Sequence, residues 1–211
     1  MPALSMSDIV DITSEFIEVA IHQILYVRGL YPKEIFATRQ KYNTPVHMSR
    51  HPDINQYINH VVAACKDGIH QRNVKAVSVE VFDFQQRPVE RFVFELNSIF
   101  VLSPHQNTDS VTTEMLWPDL ELQLRAFLLR IHAANSILKP LPEDSKFSVV
   151  VDMERPVVPA SLQENKTGVT PWIPADDGKK GDVFSGSNLV PLKSVDTGVL
   201  QMNLFVQEIN F

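Results

Sequence analysis

Cysteine, glycine and positive charge are all in short supply in this sequence. One residue of 211 is cysteine, Cys65. That excludes an internal disulfide and a cysteine-based metal framework, and it suits a reducing compartment. Seven glycines are present, and none is spaced as in a phosphate-binding loop or a dinucleotide fingerprint. Positive charge is also short: 19 Lys and Arg stand against 25 Asp and Glu, a net charge of −6. Nucleic-acid binding leans on cations that neutralise phosphates, so no direct contact with DNA or RNA is expected. No apolar run approaches the roughly 20 residues of a membrane span. The N-terminus lacks the basic and apolar regions of a secretory signal. The expectation is an intracellular, soluble protein with no membrane partner.

What is present reads as an ordinary globular domain, 44% hydrophobic and 21% charged. Residues 8–30 predict a long helix, with Ile9, Ile12, Phe16, Ala20, Ile24 and Val27 at helical spacing and Ile17, Ile21 and Leu25 widening the stripe. Ser7 and Asp8 are the predicted caps, and Gly29 and Pro32 stop the helix. So wide an apolar face suggests a central strut. Residues 31–49 read as a connection. A second helix starts at Pro52 and carries Ile54, Tyr57, Ile58, Val61, Val62, Cys65 and Ile69. Strands at 74–84 and 89–96 alternate around a turn at Gln85, Gln86 and Arg87 and predict a hairpin. A third helix runs over 118–138, and further strands over 147–153 and 200–206. Three helices on a mostly antiparallel sheet give an α+β fold class.

Residues 154–198 break this order. Five of the fourteen prolines and five of the seven glycines fall there and interrupt every periodic pattern. Loops much beyond about 15 residues are uncommon in compact domains and tend to be lids or binding segments. Apolar anchors such as Val157, Leu162, Trp172 and Leu189 argue against a plain linker. The segment is expected to wrap the domain and return to the sheet.

Candidate chemistry is thin. His47 and His51 are four apart, but the Met48, Ser49, Arg50 and Pro52 around them argue against a helix, and no glutamate follows His47 as a zincin needs. Ser185, between Phe184 and Gly186, lacks a nucleophile-elbow context. Cys65 lies on an apolar stripe and reads as a small core side chain. Asp176 and Asp177 read as a solvated turn. Neither a catalytic residue, a metal nor a cofactor is expected. Trp172, between Pro171 and Pro174, either plugs the long segment into the core or lines a binding groove, since aromatics are frequent hot spots. Tyr57 is either a tyrosine at the edge of the core or part of such a groove. Phe205, among Gln201, Asn203 and Gln207, is either an interaction point or packed beneath a helix.

Several stretches together resemble HORMA-domain proteins of the mitotic-arrest-deficient type. They are Phe16-Ile-Glu-Val-Ala-Ile-His22, Ile24-Leu-Tyr-Val-Arg-Gly-Leu-Tyr-Pro32, Tyr42-Asn43 and His51-Pro52. Asn55-Gln-Tyr-Ile58, Arg87-Pro-Val-Glu-Arg-Phe-Val-Phe-Glu95, Leu124-Arg-Ala-Phe-Leu128, Pro171-Trp-Ile173 and Pro191-Leu-Lys193 complete the set. Their combination is similar to one branch, the non-catalytic subunit of translesion DNA polymerase zeta.

The resemblance implies a single HORMA domain over 1–211, with a core at about 8–153 and a safety belt and closing strand at about 154–208. It implies an adaptor that entraps a proline-rich peptide of the polymerase catalytic subunit, with Tyr57 and Trp172 as the receiving aromatic pair. It also implies that Leu189, Asn203 and Phe205 dock the C-terminal domain of a scaffold translesion polymerase. Arg125 would serve a homo- or heterodimer of HORMA domains, a remodelling ATPase would open the closed form, and the setting would be the nucleus, with cytoplasm also open. Asn203 and Phe205 stand where the branch carries a longer amide and a tyrosine, and Pro174 where it carries leucine. Alternative readings are a HORMA adaptor in the spindle checkpoint or in double-strand-break end protection, a small hydrolase using Ser185 or a histidine, and a structural dimer on the third helix.

Overall fold

The structure is a computed structural model that describes residues 4–99, 116–154, 184, 186–197 and 200–209, with backbone alone for 97–99. Helix α1 (Met6–Val27) is the strut that its apolar stripe predicts. Ile9, Phe16, Ile17, Ala20, Ile21, Ile24 and Leu25 are fully buried. The helix starts two residues before the predicted position, because Ser5 rather than Ser7 caps it. The Asp8 amide donates to the Ser5 hydroxyl at 3.2 Å, and the Ser5 amide donates to the Asp8 carboxylate at 2.8 Å. This reciprocal capping box satisfies two amides that would otherwise lack partners. At the other end Gly29 takes φ +65°, and the amides of Gly29 and Leu30 reach back to the carbonyls of Tyr26 and Leu25. That is a Schellman stop, which only a residue tolerant of positive φ makes cheaply.

Residues 31–49 are not a plain connection. After one short 3-10 turn (Lys33–Ile35), strands β1 (Phe36–Lys41) and β2 (Thr44–Ser49) pair as an antiparallel hairpin. Tyr42 and Asn43 form its two-residue turn at φ 48° and 52°. Asparagine accepts that geometry readily, whereas tyrosine is an unusual choice. Tyr42 holds it because its ring is buried edge-on against Phe16 at 6.0 Å and beside Trp117 at 6.3 Å. Pro45 faces Gln40, one step from the closing pair Lys41–Thr44, where alternation asks for no ladder donor.

Helix α2 (Pro52–His70) begins where predicted, with proline in its first turn. Strands β3 (Val74–Phe82) and β4 (Pro88–Ile99) form the expected hairpin. Its turn is organised by Asp83, whose carboxylate accepts the amides of Gln85 and Arg87 and the Arg87 guanidinium at 2.8–2.9 Å. Helix α3 (Trp117–Ala134) ends one turn before the predicted 138, and Leu138 still reaches the core from the turn that follows. Strands β5 (Lys146–Met153) and β7 (Leu200–Glu208) match expectation. Strand β6 (Asn188–Asp196) does not, since it lies within the segment expected to be aperiodic. Pro191 and a register shift between Pro191 and Lys193 break its alternation, and both are tolerated because β6 is an edge strand.

The five-stranded sheet runs β5-β3-β4-β7-β6, with every neighbouring pair antiparallel. Its inner face, including Val77, Val79, Phe92, Phe94, Met202, Leu204 and Val206, belongs to the same core as α1 and α3. Phe16 joins the layers, edge-on to Phe94 at 6.2 Å and Phe127 at 5.7 Å.

One buried polar cluster closes the far end of the core. The Arg28 guanidinium donates to both Glu90 oxygens at 2.8 and 3.0 Å and to the Asn135 side-chain carbonyl at 2.7 Å. Glu208 sits opposite Glu90 across the β4–β7 ladder and accepts the Lys139 amide at 2.9 Å. Burial raises the Glu90 carboxyl above its ordinary range against the pull of Arg28, and the Glu208 charge adds to the rise. The cluster joins the ends of α1, α3, β4 and β7.

Two stability measurements check this packing. Arg28→Ala leaves Glu90 buried without its cation and costs about 3–5 kcal/mol in urea denaturation, whereas Arg28→Met with Glu90→Leu recovers much of that loss. The buried His22 imidazole accepts the Ser49 amide through Nδ1 at 3.3 Å, and burial lowers its pKa from 6.5 to about 4. The unfolded chain therefore binds a proton that the native one refuses between those values. Stability is full above pH 6.5 and falls by up to about 3 kcal/mol as pH drops toward 4. His22→Gln, which keeps an acceptor for Ser49, flattens that slope.

Candidate peptide-binding site

The two edges of the main sheet differ. β6 is one edge and β5 the other, and neither has a second strand partner among the described residues. The chain leaves the sheet at Met153, on the β5 edge, and re-enters it at Asn188, on the β6 edge. Four inter-strand spacings separate these edges, about 19 Å, a span that some six extended residues bridge. The intervening residues 155–187 are several times more chain than the crossing needs. An unpaired strand edge presents a row of amide and carbonyl groups ready to accept another chain, and natural peptide readers exploit such edges by strand addition.

Side chains around β5 prepare that edge. Helix α2 lies over β3 and β5 and turns Ile54, Ile58, Val61 and Cys65 inward. Tyr57 stays at the rim, 37% exposed. Its hydroxyl accepts the Val149 backbone amide at 2.9 Å. Its ring stands edge-on to Phe147 at 5.6 Å, and Phe147 stands edge-on to Tyr31 at 6.1 Å. The Tyr31 phenol is shifted upward by burial and by the neighbouring Tyr57. An aromatic corner of Tyr31, Tyr57 and Phe147 therefore sits at the start of β5. Sequence reasoning singled out only Tyr57. Phe147 was hidden as one more alternating strand residue and Tyr31 as part of a connection. Trp172, the other half of the expected pair, lies outside the described residues, as do Asp176, Asp177 and Ser185.

Leu189, Asn203 and Phe205 form a separate surface. The register sets Leu189 opposite Gln207, Pro191 opposite Phe205 and Ser194 opposite Asn203. All three residues therefore fall on the sheet face away from the helices, with Leu189 and Phe205 as diagonal neighbours. This excludes the alternative in which Phe205 packs beneath a helix. Leu189 is 54% exposed. Asn203 donates its side-chain amide to Glu95 at 2.9 Å. Beside them Arg91 donates to Gln207 at 2.9 Å and carries the Phe184 ring 4.4 Å from its guanidinium.

Arg125 belongs to a third surface, on α3. It is half-buried, between exposed Leu122 and Leu129, and α3 packs toward β6 rather than β5. Among the described residues, Tyr57, the group of Leu189, Asn203 and Phe205, and Arg125 lie in three separate places.

The chemistry-bearing side chains are committed elsewhere. Cys65 is fully buried, and burial pushes its thiol up to about 12, which suits a core residue and not a nucleophile. His47 lies in β2 and stacks on Tyr26 at 3.6 Å, while His51 precedes α2, so the two never share a helix face. Among the described residues no group of three or more His, Cys, Asp or Glu is placed to hold a metal.

The profile of the HORMA domain matches residues 10–164. The chain is 38% identical to the chicken (Gallus gallus) protein named mitotic spindle assembly checkpoint protein MAD2B, over 95% of this chain and 90% of that one. It is 28% identical to the DNA polymerase zeta processivity subunit of Schizosaccharomyces pombe, over 97% and 94% of the two chains. Among solved structures, a chain of the mitotic checkpoint complex superposes with a TM-score of 0.72 at 22% identity, covering 95% of this chain and 99% of that one. HTP-2 of C. elegans, solved bound to a HIM-3 closure motif, superposes with a TM-score of 0.69 at 12% identity, over 98% and 92%.

Proposed function

Because the chain belongs to the HORMA-domain family, we propose that it is a non-catalytic adaptor which captures a peptide along the β5 edge and holds it beneath the segment 155–187. The observation that carries this reading is the β5 edge, which has no second strand partner among the described residues, is lined by Tyr31, Tyr57 and Phe147, and is where that long segment departs. Main-chain bonds to β5 supply affinity, and the aromatic corner supplies selectivity for flat, rigid apolar residues such as proline. The peptide is a proline-rich segment of the polymerase zeta catalytic subunit, and Trp172 joins Tyr57 in receiving it. The relatives named as polymerase zeta processivity subunits support this choice of partner. Leu189, Asn203 and Phe205 dock the C-terminal domain of a scaffold translesion polymerase on the opposite face, so one domain bridges two proteins in the nucleus. Arg125, with Leu122 and Leu129, pairs HORMA domains with one another, and a remodelling ATPase releases the captured peptide. A second reading keeps the edge and changes the peptide: the relatives named for the spindle checkpoint favour an adaptor in cell-cycle control.

Titration of a labelled proline-rich peptide from the polymerase zeta catalytic subunit tests the reading. Tyr57→Ala and Trp172→Ala each weaken capture by tenfold or more, and unchanged capture by both variants sinks the assignment. Leu189→Ala with Phe205→Ala leaves peptide capture intact while reducing binding of the scaffold domain at least tenfold in the same titration format. If the double variant binds both partners like wild type, that face is not the docking surface.

A further inference from the structure

Four residues of β7 alternate onto the sheet face away from the helices: Gln201, Asn203, Phe205 and Gln207. Three of them are amides, and each spends one half of its side chain on a charged neighbour. Asn203 donates its Nδ2 to Glu95, directly across the ladder on β4, at 2.9 Å. Gln201 donates its Nε2 to Asp196, its opposite number on β6. Gln207 does the reverse, its Oε1 accepting from the Arg91 Nε at 2.9 Å across the β4–β7 ladder. Chemistry fixes these senses, since an ionised carboxylate only accepts and a guanidinium only donates. The other half of each amide is then fixed as well. Gln201 and Asn203 are left showing a carbonyl oxygen and Gln207 an NH2 group, and none of the three is taken by another described residue. The face therefore has a polarity along β7. One end shows acceptors backed by the carboxylates of Asp196 and Glu95. The other shows a donor backed by Arg91, which Glu80 holds from the β3 side at 3.5 Å and the Phe184 ring covers at 4.4 Å. Phe205 lies between the ends, opposite Pro191. At the rise of an antiparallel strand, Asn203 and Gln207 stand about 14 Å apart.

We propose that this polarity decides what docks on the face and which way round it sits. The partner surface brings an apolar side chain to Phe205 and Leu189, a lysine or arginine to Asn203, and a hydrogen-bond acceptor to Gln207. The proposal rests on the docking reading above and adds the chemistry that the docked domain must carry. A cation arriving at Asn203 meets a carbonyl oxygen with a carboxylate behind it. A carboxylate arriving there meets only acceptors and gives up its water without replacement. At Gln207 the preference is opposite, because an amide whose oxygen is held by Arg91 can only donate. A partner turned end for end sets acceptor against acceptor at one end and donor against donor at the other, and mismatches of that kind exclude wrong orientations. Glu95, Asp196 and Arg91 are thus positioning residues. They act through the amides, by deciding which half each one shows.

One kind of substitution, amide to acid, has opposite results at the two ends. The readout is titration of the purified C-terminal domain of the scaffold polymerase, with urea midpoints showing that each variant is folded. Gln207→Glu keeps an oxygen for Arg91 and puts a second oxygen where the NH2 group was, so binding weakens about tenfold or more. Asn203→Asp combined with Glu95→Gln leaves the net charge unchanged and reverses the internal hydrogen bond, the new glutamine donating to the new aspartate. An oxygen still faces the partner, and binding falls by no more than about threefold. Wild-type binding by Gln207→Glu, or a loss from the Asn203 and Glu95 exchange as large as that from Gln207→Glu, overturns the polarity while leaving the docking surface in place. If wild type does not bind the domain, or if Leu189→Ala with Phe205→Ala binds it unchanged, the docking reading itself fails and this inference goes with it.

Discussion

Burial of α1 is the constraint on which the rest of the structure depends. Residues around nearly its whole circumference are shielded from water, so a single layer cannot cover it. Helices α2 and α3, the β1–β2 hairpin and the main sheet all contribute to enclosing it. Phe16 shows the consequence at one residue, with edge-on partners in the turn after β1, in β4 and in α3. Side chains that large gain a few kcal/mol each from burial, and the loss of any layer forfeits part of that gain. The Arg28 cluster then fastens the ends of α1 and α3 to the first residues of β4 and the last of β7. It ties the closing strand to a fixed core.

Around this centre the two sheet edges have different surroundings. The β6–β7 hairpin extends the sheet beside β4 and presents an outer face with Leu189 and Phe205. The β5 edge keeps outward backbone groups, tempered at Val149 by one phenol. An exposed edge is an aggregation hazard that proteins manage by capping, twisting or covering it. Here the device that tempers the edge belongs to the aromatic corner proposed to read a partner, so protection and selectivity share a residue.

Much of the core was legible in the sequence, because helical and alternating periodicity survives wherever one face is buried. Ile54, Ile58, Val61 and Cys65 on α2, and Phe92, Phe94 and Leu96 on β4, lie inward as their spacing predicts. What escaped were elements whose signals are broken locally. Tyr42 in a positive-φ turn does not read as a hairpin, and its stability comes from burial against α1. Strand β6 carries Pro191 and a register shift, so period two fails within it although the ladder to β7 persists. The start of α1 moved to Ser5 because capping depends on which side chain completes the reciprocal pair, and Ser5 and Ser7 are equal candidates by type alone.

For the candidate site the division is sharper. The sequence by itself determined that the chain would fold around a buried helix, that its chemistry-bearing side chains lacked the spacing of a catalytic or metal site, and that Tyr57 and Phe205 were aromatic residues open to two readings. Those properties follow from side-chain type and near-neighbour periodicity. Only the tertiary structure decided that Phe205 lies on the sheet face away from the helices, that Tyr31 and Phe147 join Tyr57, and that the Tyr57 oxygen meets an amide 92 residues away. It also decided that the chain departs from one edge of the sheet and returns at the other. Strand order and cross-strand register are set by the packing of distant elements, and no local pattern of residues encodes which strands form the edges of the sheet.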